Sequence, residues 1–61
     1  MPNLTGRELT AIEDQLAAEQ LLVKKYQIYS QSSTDPQIKM KCEQIAAKHQ
    51  NHFDRLLKQL G

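Results

Sequence analysis

Helix-breaking residues are scarce in this chain of 61 residues, and their positions leave room for two long helices and little else. There are only two glycines and two prolines. The single stretch with the composition of a loop is SQSSTDP, at residues 30–36. On either side of it apolar residues recur every three or four positions, and no stretch alternates with the period of a strand. We therefore predict an all-α fold, an antiparallel hairpin of two helices.

Each predicted helix begins at a recognisable capping sequence. Thr5 is followed three residues later by Glu8, the pattern of a capping box. Asp35 followed by Pro36 places a favourable N-cap residue before a proline at the first helical position. The elements predicted within a single domain at residues 1–61 are a helix at about 5–31, a loop at about 31–35 and a helix at about 36–60.

Both helices carry an apolar stripe whose members lie alternately three and four residues apart, as in a heptad repeat. The first stripe consists of Leu9, Ile12, Leu16, Glu19, Val23, Tyr26 and Ser30. The second consists of Ile38, Cys42, Ile45, His49, His52 and Leu56, flanked by Ala46, Phe53 and Leu60. We call the two stripes together the seam. One partner helix cannot cover either stripe, so we expect two hairpins to form a twofold homodimer, a four-helix bundle.

The small size of the chain also favours association. A chain this short buries a small fraction of its surface and usually needs a disulfide, a metal or a partner chain for stability. Cys42 is the only cysteine, so no internal disulfide can form. We interpret Cys42 as a small buried apolar residue. A metal or a second chain is therefore the expected supplement.

Charge and hydropathy exclude two classes of partner. Eight Lys and Arg against seven Asp and Glu give a formal net charge of +1, without the basic block that a nucleic-acid binder needs. The sequence contains no run of about 18 apolar residues, the length that a membrane-spanning helix needs. Residues 1–6 lack the basic-then-apolar order of a signal peptide. We therefore expect a cytoplasmic protein with no nucleic-acid and no membrane partner.

Three ionisable residues interrupt the seam: Glu19 in the first helix, and His49 and His52 in the second. Folding the hairpin about residue 34 places Glu19 level with His49, and histidines three residues apart point to the same side of a helix. The three side chains could bind iron, manganese or zinc, which accept imidazole and carboxylate ligands. They could instead form a buried hydrogen-bond network that fixes the helix register without a metal. As a third alternative, the histidines could lie half exposed at the edge of the seam.

Other arrangements typical of an active site are absent from the sequence. There is no glycine-rich phosphate loop and no Cys-x-x-Cys. Cys42 and His49 are seven residues apart, or roughly 10 Å along a helix, which is too far for a nucleophile and its base. The sequence leaves an enzymatic role open, but it gives no reason to expect turnover.

The spacing of the ionisable residues resembles the first helical hairpin of the ferritin-like superfamily. Glu19-x-x-Leu22-x-x-x-Tyr26 is followed, about thirty residues after Glu19, by His49-x-x-His52. In that superfamily a glutamate on one helix meets a Glu-x-x-His motif on the next. The resemblance implies a metal-ligand role for Glu19 and His52. His49 departs from the pattern, because it stands where the family has its bridging glutamate and so removes negative charge from a two-metal site.

Over nearly its whole length the chain is also similar to spore coat proteins of the coat F-like group, which share the ferritin-like fold. The shared motifs are Leu-Thr-x-x-Glu-Leu near the start, Glu-x-x-Leu-x-x-x-Tyr in the first helix, Asp-Pro opening the second, and His-x-x-His-Phe-x-x-Leu near the end. The resemblance implies a half-length, two-helix ferritin-like unit that self-associates in a spore coat, with other coat proteins as further partners. It implies no activity.

Two functions from different classes follow as hypotheses. The first is a small structural protein that acts by self-association. The alternative is a metal-binding protein that holds iron, manganese or zinc through Glu19, His49 and His52 at a dimer core. A third hypothesis is an adaptor whose hairpin docks on a helix of another protein.

Overall fold

Residues 4–61 are described by a computed structural model, and they form two α-helices and no strand. Helix α1 spans Gly6–Ser32 and helix α2 spans Pro36–Lys58. The predicted all-helical hairpin is therefore confirmed. Residues 1–3, which the sequence analysis included in the domain and in the comparison with a signal peptide, lie outside the described residues.

Both predicted caps are present. The Thr5 hydroxyl accepts a hydrogen bond from the Glu8 amide at 3.1 Å, and the Glu8 carboxylate accepts one from the Thr5 amide at 3.4 Å. The Asp35 carboxylate accepts hydrogen bonds from the amides of Gln37 at 2.9 Å and Ile38 at 3.4 Å. These side chains occupy backbone donors that the first turn of a helix leaves without partners.

Helix α2 is shorter than predicted. It ends at Lys58, not at Leu60, because the chain tightens in its last turn. The amide of Leu60 donates a hydrogen bond to the carbonyl of Leu57 at 3.1 Å, and the amide of Gly61 donates one to the carbonyl of Lys58 at 3.3 Å. Hydrogen bonds between residues three apart belong to a 3₁₀ turn, a common way for a helix to end.

The hairpin has a very thin core. Only Glu19, Ser30, Cys42 and Ala46 are buried among the described residues, and no large apolar side chain is fully enclosed. The molecule is a rod of 47 × 15 × 10 Å. The larger seam residues reach only intermediate burial, namely Ile12, Leu16, Val23, Tyr26, Ile45, Phe53, Leu56 and Leu60. Two helices thus bury the centre line of the seam and leave its margins open.

Two predicted seam residues differ from expectation. Ile38 is 54% exposed and Leu9 is 39% exposed. Ile38 lies in the first turn of α2 and Leu9 in the first turn of α1, at opposite ends of the rod. At each of these ends the facing helix is close to its own terminus, so few of its side chains can cover the residue.

Within residues 4–61 no helix is both long enough and apolar enough to cross a lipid bilayer.

Candidate functional site

Glu19 is the most buried side chain of the four that the hairpin encloses, with 3% of its surface exposed. It lies near the middle of α1, on the face that packs against α2. Carboxylates are almost never fully buried unless they are paired, because their removal from water is costly. A carboxylate as buried as that of Glu19 therefore requires polar partners within the hairpin.

Both oxygens of Glu19 are contacted by histidine. The Oε1 atom lies 2.9 Å from Nδ1 of His49 and forms a hydrogen bond with it. The Oε2 atom lies 3.0 Å from Nδ1 of His52. The prediction that Glu19 and His49 lie at the same height along the hairpin is thus confirmed. The spacing of three residues between the histidines brings His52 to the second oxygen of Glu19. One buried carboxylate is shared by two imidazoles.

These contacts constrain which ring nitrogens carry hydrogen. An ionised carboxylate only accepts hydrogen bonds, so with Glu19 in that form Nδ1 of His49 is the donor. Nδ1 of His52 lies 3.0 Å from Oε2, close enough for an ion pair but without the alignment of a hydrogen bond. When Nδ1 of a neutral imidazole carries the proton, Nε2 keeps its lone pair. The cluster therefore turns one nitrogen of each ring toward Glu19 and leaves the other for a different partner.

Aromatic contacts hold His49 in place. Its ring stacks on that of Tyr26, with centroids 6.2 Å apart and planes at 15°. The ring of His52 stands edge-on to His49, with centroids 5.7 Å apart. Tyr29 packs edge-on against Tyr26 in turn. Tyr26 is partly buried and Tyr29 is exposed, and the stacking on Tyr26 restrains the ring of His49.

The cluster is open on the side of His52. The side chain of His49 is 23% exposed and that of His52 is 46% exposed. A shallow groove beside Glu19 and His52 is also lined by Gln15, Arg55 and Leu56. Arg55 was not among the residues singled out from the sequence, although its position three residues after His52 places it on the same side of α2. The groove gives solvent, or another chain, access to the cluster.

The donor atoms fit a transition metal. One ligand atom from each of Glu19, His49 and His52 lies within 4.8 Å of the others. Donors about 2.1 Å from one ion lie roughly 3.0–3.5 Å apart. Each histidine Nδ1 lies close to that distance from one of the two Glu19 oxygens, at 2.9 and 3.0 Å. Two imidazoles and a carboxylate suit zinc, iron or manganese. Binding through Nδ1 would require the proton on each ring to leave or to move to Nε2.

The three alternatives left open by the sequence resolve in part. Glu19 and His49 form the hydrogen-bonded pair expected of a polar network. His52 is half exposed, as expected of a histidine at the edge of the seam. The first alternative, metal binding, stays a prediction, now with its three residues in one place.

Two further polar features of the seam lie apart from the cluster. The hydroxyl of Ser30, itself 6% exposed, donates a hydrogen bond to Glu43 at 3.2 Å. Glu43 is exposed but is linked to α1 by this bond. Cys42 is a free thiol at 8% exposure, which confirms its interpretation as a small buried residue.

No protein-family model, no curated protein and no solved structure matches the chain. The resemblance to the coat F-like group and to the ferritin-like superfamily therefore stays a prediction.

Proposed function

We propose that the protein is a structural unit that acts by self-association, with two hairpins pairing along the seam into a four-helix bundle. The observation that carries this proposal is the absence of any fully enclosed large apolar side chain among the described residues. Hydrophobic burial is the main favourable term in folding, and this hairpin provides little of it alone. A second copy offers a matching apolar seam.

The chain exposes more surface than a folded monomer of its mass should, and the excess is similar to the area that a partner would cover. The chain exposes 4867 Å². A folded monomer of 7.0 kDa is expected to expose about 4,000 Å². The excess, roughly 800 Å², equals the area that each partner buries in a protein–protein interface of standard size. Pairing of two hairpins would bring the chain to the exposure of an ordinary globular protein.

The polar cluster fits the same arrangement. In a bundle formed along the seam, the open side of His49 and His52 would face the second copy, and two Glu19 and four histidines would lie near the twofold axis. The Nε2 atoms could then accept hydrogen bonds from donors of the second copy. A buried polar layer of this kind fixes the register of helices, since any slip would leave polar groups without partners.

Ile38 and Met40 provide a matched test. Both are exposed in the hairpin, at 54% and 61%, but Ile38 belongs to the seam and Met40 does not. Replacing either with asparagine should leave the single hairpin intact. We expect Ile38→Asn to weaken the dimer measurably in sedimentation velocity and Met40→Asn to leave it unchanged. Equal behaviour of the two variants would refute pairing along the seam.

The setting of this assembly rests on the resemblance of the sequence motifs to the coat F-like group. On that basis we propose a coat or a coat-associated structure as the location and other coat proteins as further partners. A fluorescent fusion expressed in a sporulating host tests this. We expect fluorescence at the spore surface, and diffuse fluorescence throughout sporulation would contradict it.

Metal binding is the second candidate function, favoured by the convergence of Glu19, His49 and His52. These residues would hold iron, manganese or zinc, which would add a stabilising link and, in the case of iron or manganese, redox chemistry. Elemental mass spectrometry of protein purified without chelators tests this, with His49→Ala/His52→Ala as the comparison. We expect metal in the parent alone, and a higher melting temperature on metal addition in the parent alone. No metal and no shift would refute it.

A further inference from the structure

Helix α1 has a second apolar strip, on the side opposite the seam. Leu21 is 70% exposed and Ile28 is 52% exposed. They are seven residues apart, nearly two full turns, so they lie on one line along the helix. Thr10 and Ala17, also exposed, continue this line toward the N-terminus. We call this side of α1 the outer face, and it remains free when the seam is covered.

Opposite charges occupy the two halves of the outer face. Glu13 and Asp14 lie toward its N-terminal end, and Lys24 and Lys25 toward its C-terminal end. All four side chains are exposed, and none forms an ion pair within the part of the chain that the structure describes. The amine of Lys25 lies 5.8 Å from the ring centroid of Tyr29, at the margin of the face. The apolar residue Leu21 lies between the two charged groups.

We propose that the outer face binds the outer face of a second copy, with the two α1 helices antiparallel. If the midpoint of the contact is level with residue 19, reversal of the helix brings the acidic half of one copy onto the basic half of the other. At about 100° per residue, Asp14 and Lys25 lie on one side of the central line and Glu13 and Lys24 on the other. A twofold axis keeps these sides together, so Asp14 meets Lys25 of the second copy and Glu13 meets Lys24 of the second copy.

The apolar residues match in the same register. Leu21 of each copy lies over Ala17 of the other, so a large side chain meets a small one. Ile28 lies over Thr10 of the other copy. The contact is self-complementary in both charge and size, which is the requirement for an isologous interface. This complementarity favours a second copy over an unrelated acidic protein or a lipid surface, either of which would satisfy only the lysines.

The consequence is assembly beyond a dimer. A chain with two different twofold surfaces joins one copy through the seam and another through the outer face, so pairs can link into longer arrays. This part of the inference rests on the proposed function. The outer-face contact itself does not, because it would also join two single hairpins.

A reciprocal exchange of charge tests the contact. Lys24→Glu/Lys25→Glu makes all four charged positions acidic, and Glu13→Lys/Asp14→Lys makes all four basic. Either variant alone should lose the contact, with at least a roughly tenfold rise in its dissociation constant, since four ion pairs become four repulsions. An equimolar mixture restores every pair between unlike copies. We therefore expect sedimentation velocity to show larger species in the parent and in the mixture but not in either variant alone.

Controls separate this inference from the seam dimer. Lys39→Glu/Lys41→Glu makes the same change of charge on exposed positions of α2 and should leave the larger species intact. Leu21→Ser, at an exposed position, should abolish them while leaving the helical content and the seam dimer unchanged. If the protein does not pair along the seam, the outer face would still give a dimer in the parent. That dimer would be lost in each exchange variant alone and would return in the equimolar mixture. Two results would overturn the inference. In the first, the parent protein forms nothing larger than a dimer, and the charge exchanges do not affect that dimer. In the second, the larger species persist in both exchange variants.

Discussion

Replacing His49 and His52 with leucine while Glu19 is kept should destabilise the protein strongly, whereas replacing all three residues together should not. The reason is the burial of Glu19, which is 3% exposed and has both oxygens in contact with imidazole nitrogen. Without the two histidines, a charged carboxylate would remain in the seam with no partner and almost no water. With leucine at all three positions, the layer becomes apolar like the rest of the seam.

The expected magnitudes follow from the geometry. Removing the partners of a buried charge costs about 3–5 kcal/mol. A chain of 61 residues has a total unfolding free energy of roughly 3–9 kcal/mol, so the double variant should be close to unfolded. Replacing a whole buried ionic cluster by apolar residues is instead neutral or stabilising by about 1–4 kcal/mol. Between the single variants, His49→Leu should be the worse, because His49 is the less exposed histidine and the one with a hydrogen bond to Glu19.

Urea unfolding followed by far-ultraviolet circular dichroism measures these differences. All variants should be compared at one protein concentration, with a chelator present so that bound metal does not contribute. We expect the order of stability to be the triple variant, then the parent, then His52→Leu, His49→Leu and the double variant. A double variant within about 1 kcal/mol of the parent would refute the reasoning, since it would mean that Glu19 finds water in solution.

Three further substitutions test the frame around the cluster, each by the shift of its urea midpoint. Asp35→Ala removes the side chain that caps α2 and should cost about 1 kcal/mol, and an unchanged midpoint would contradict the cap. Ser30→Ala removes the bond to Glu43 and should cost about 0.5–1.5 kcal/mol, less if water reaches the site. Cys42→Ser places a hydroxyl in a buried apolar position and should cost about 1–3 kcal/mol, clearly more than Cys42→Ala. Equal effects of the two Cys42 substitutions would mean that this position is wet.

Much of the fold follows directly from the sequence. The shortage of breakers outside residues 30–36 predicts two helices, and the caps at Thr5 and Asp35 predict where they begin. Helix α2 ends at Lys58, within two residues of the approximate end expected from the sequence, because the choice between another α-turn and a 3₁₀ turn near Leu60 involves small energies that composition does not reveal. The exposure of Ile38 was also beyond prediction, since helical period identifies a stripe but not how much of it one partner covers.

The candidate site was predicted in its membership but not in its detail. Spacing alone placed Glu19 level with His49, because a symmetric hairpin fixes which residues face each other. The sharing of one carboxylate by both rings depends on how each helix is rotated about its axis, which the sequence does not specify. Arg55 was missed although its position three residues after His52, on the same side of α2, was a signal that could have found it.

If a second copy completes the fold, the melting temperature of the protein depends on its concentration. When folding and association are coupled, the folded state is favoured by mass action. Over an about hundredfold range of concentration, we expect the midpoint of thermal unfolding to rise by several degrees. A sharp transition whose midpoint stays constant over that range would mean that the single hairpin is stable alone, and it would refute the pairing of two hairpins.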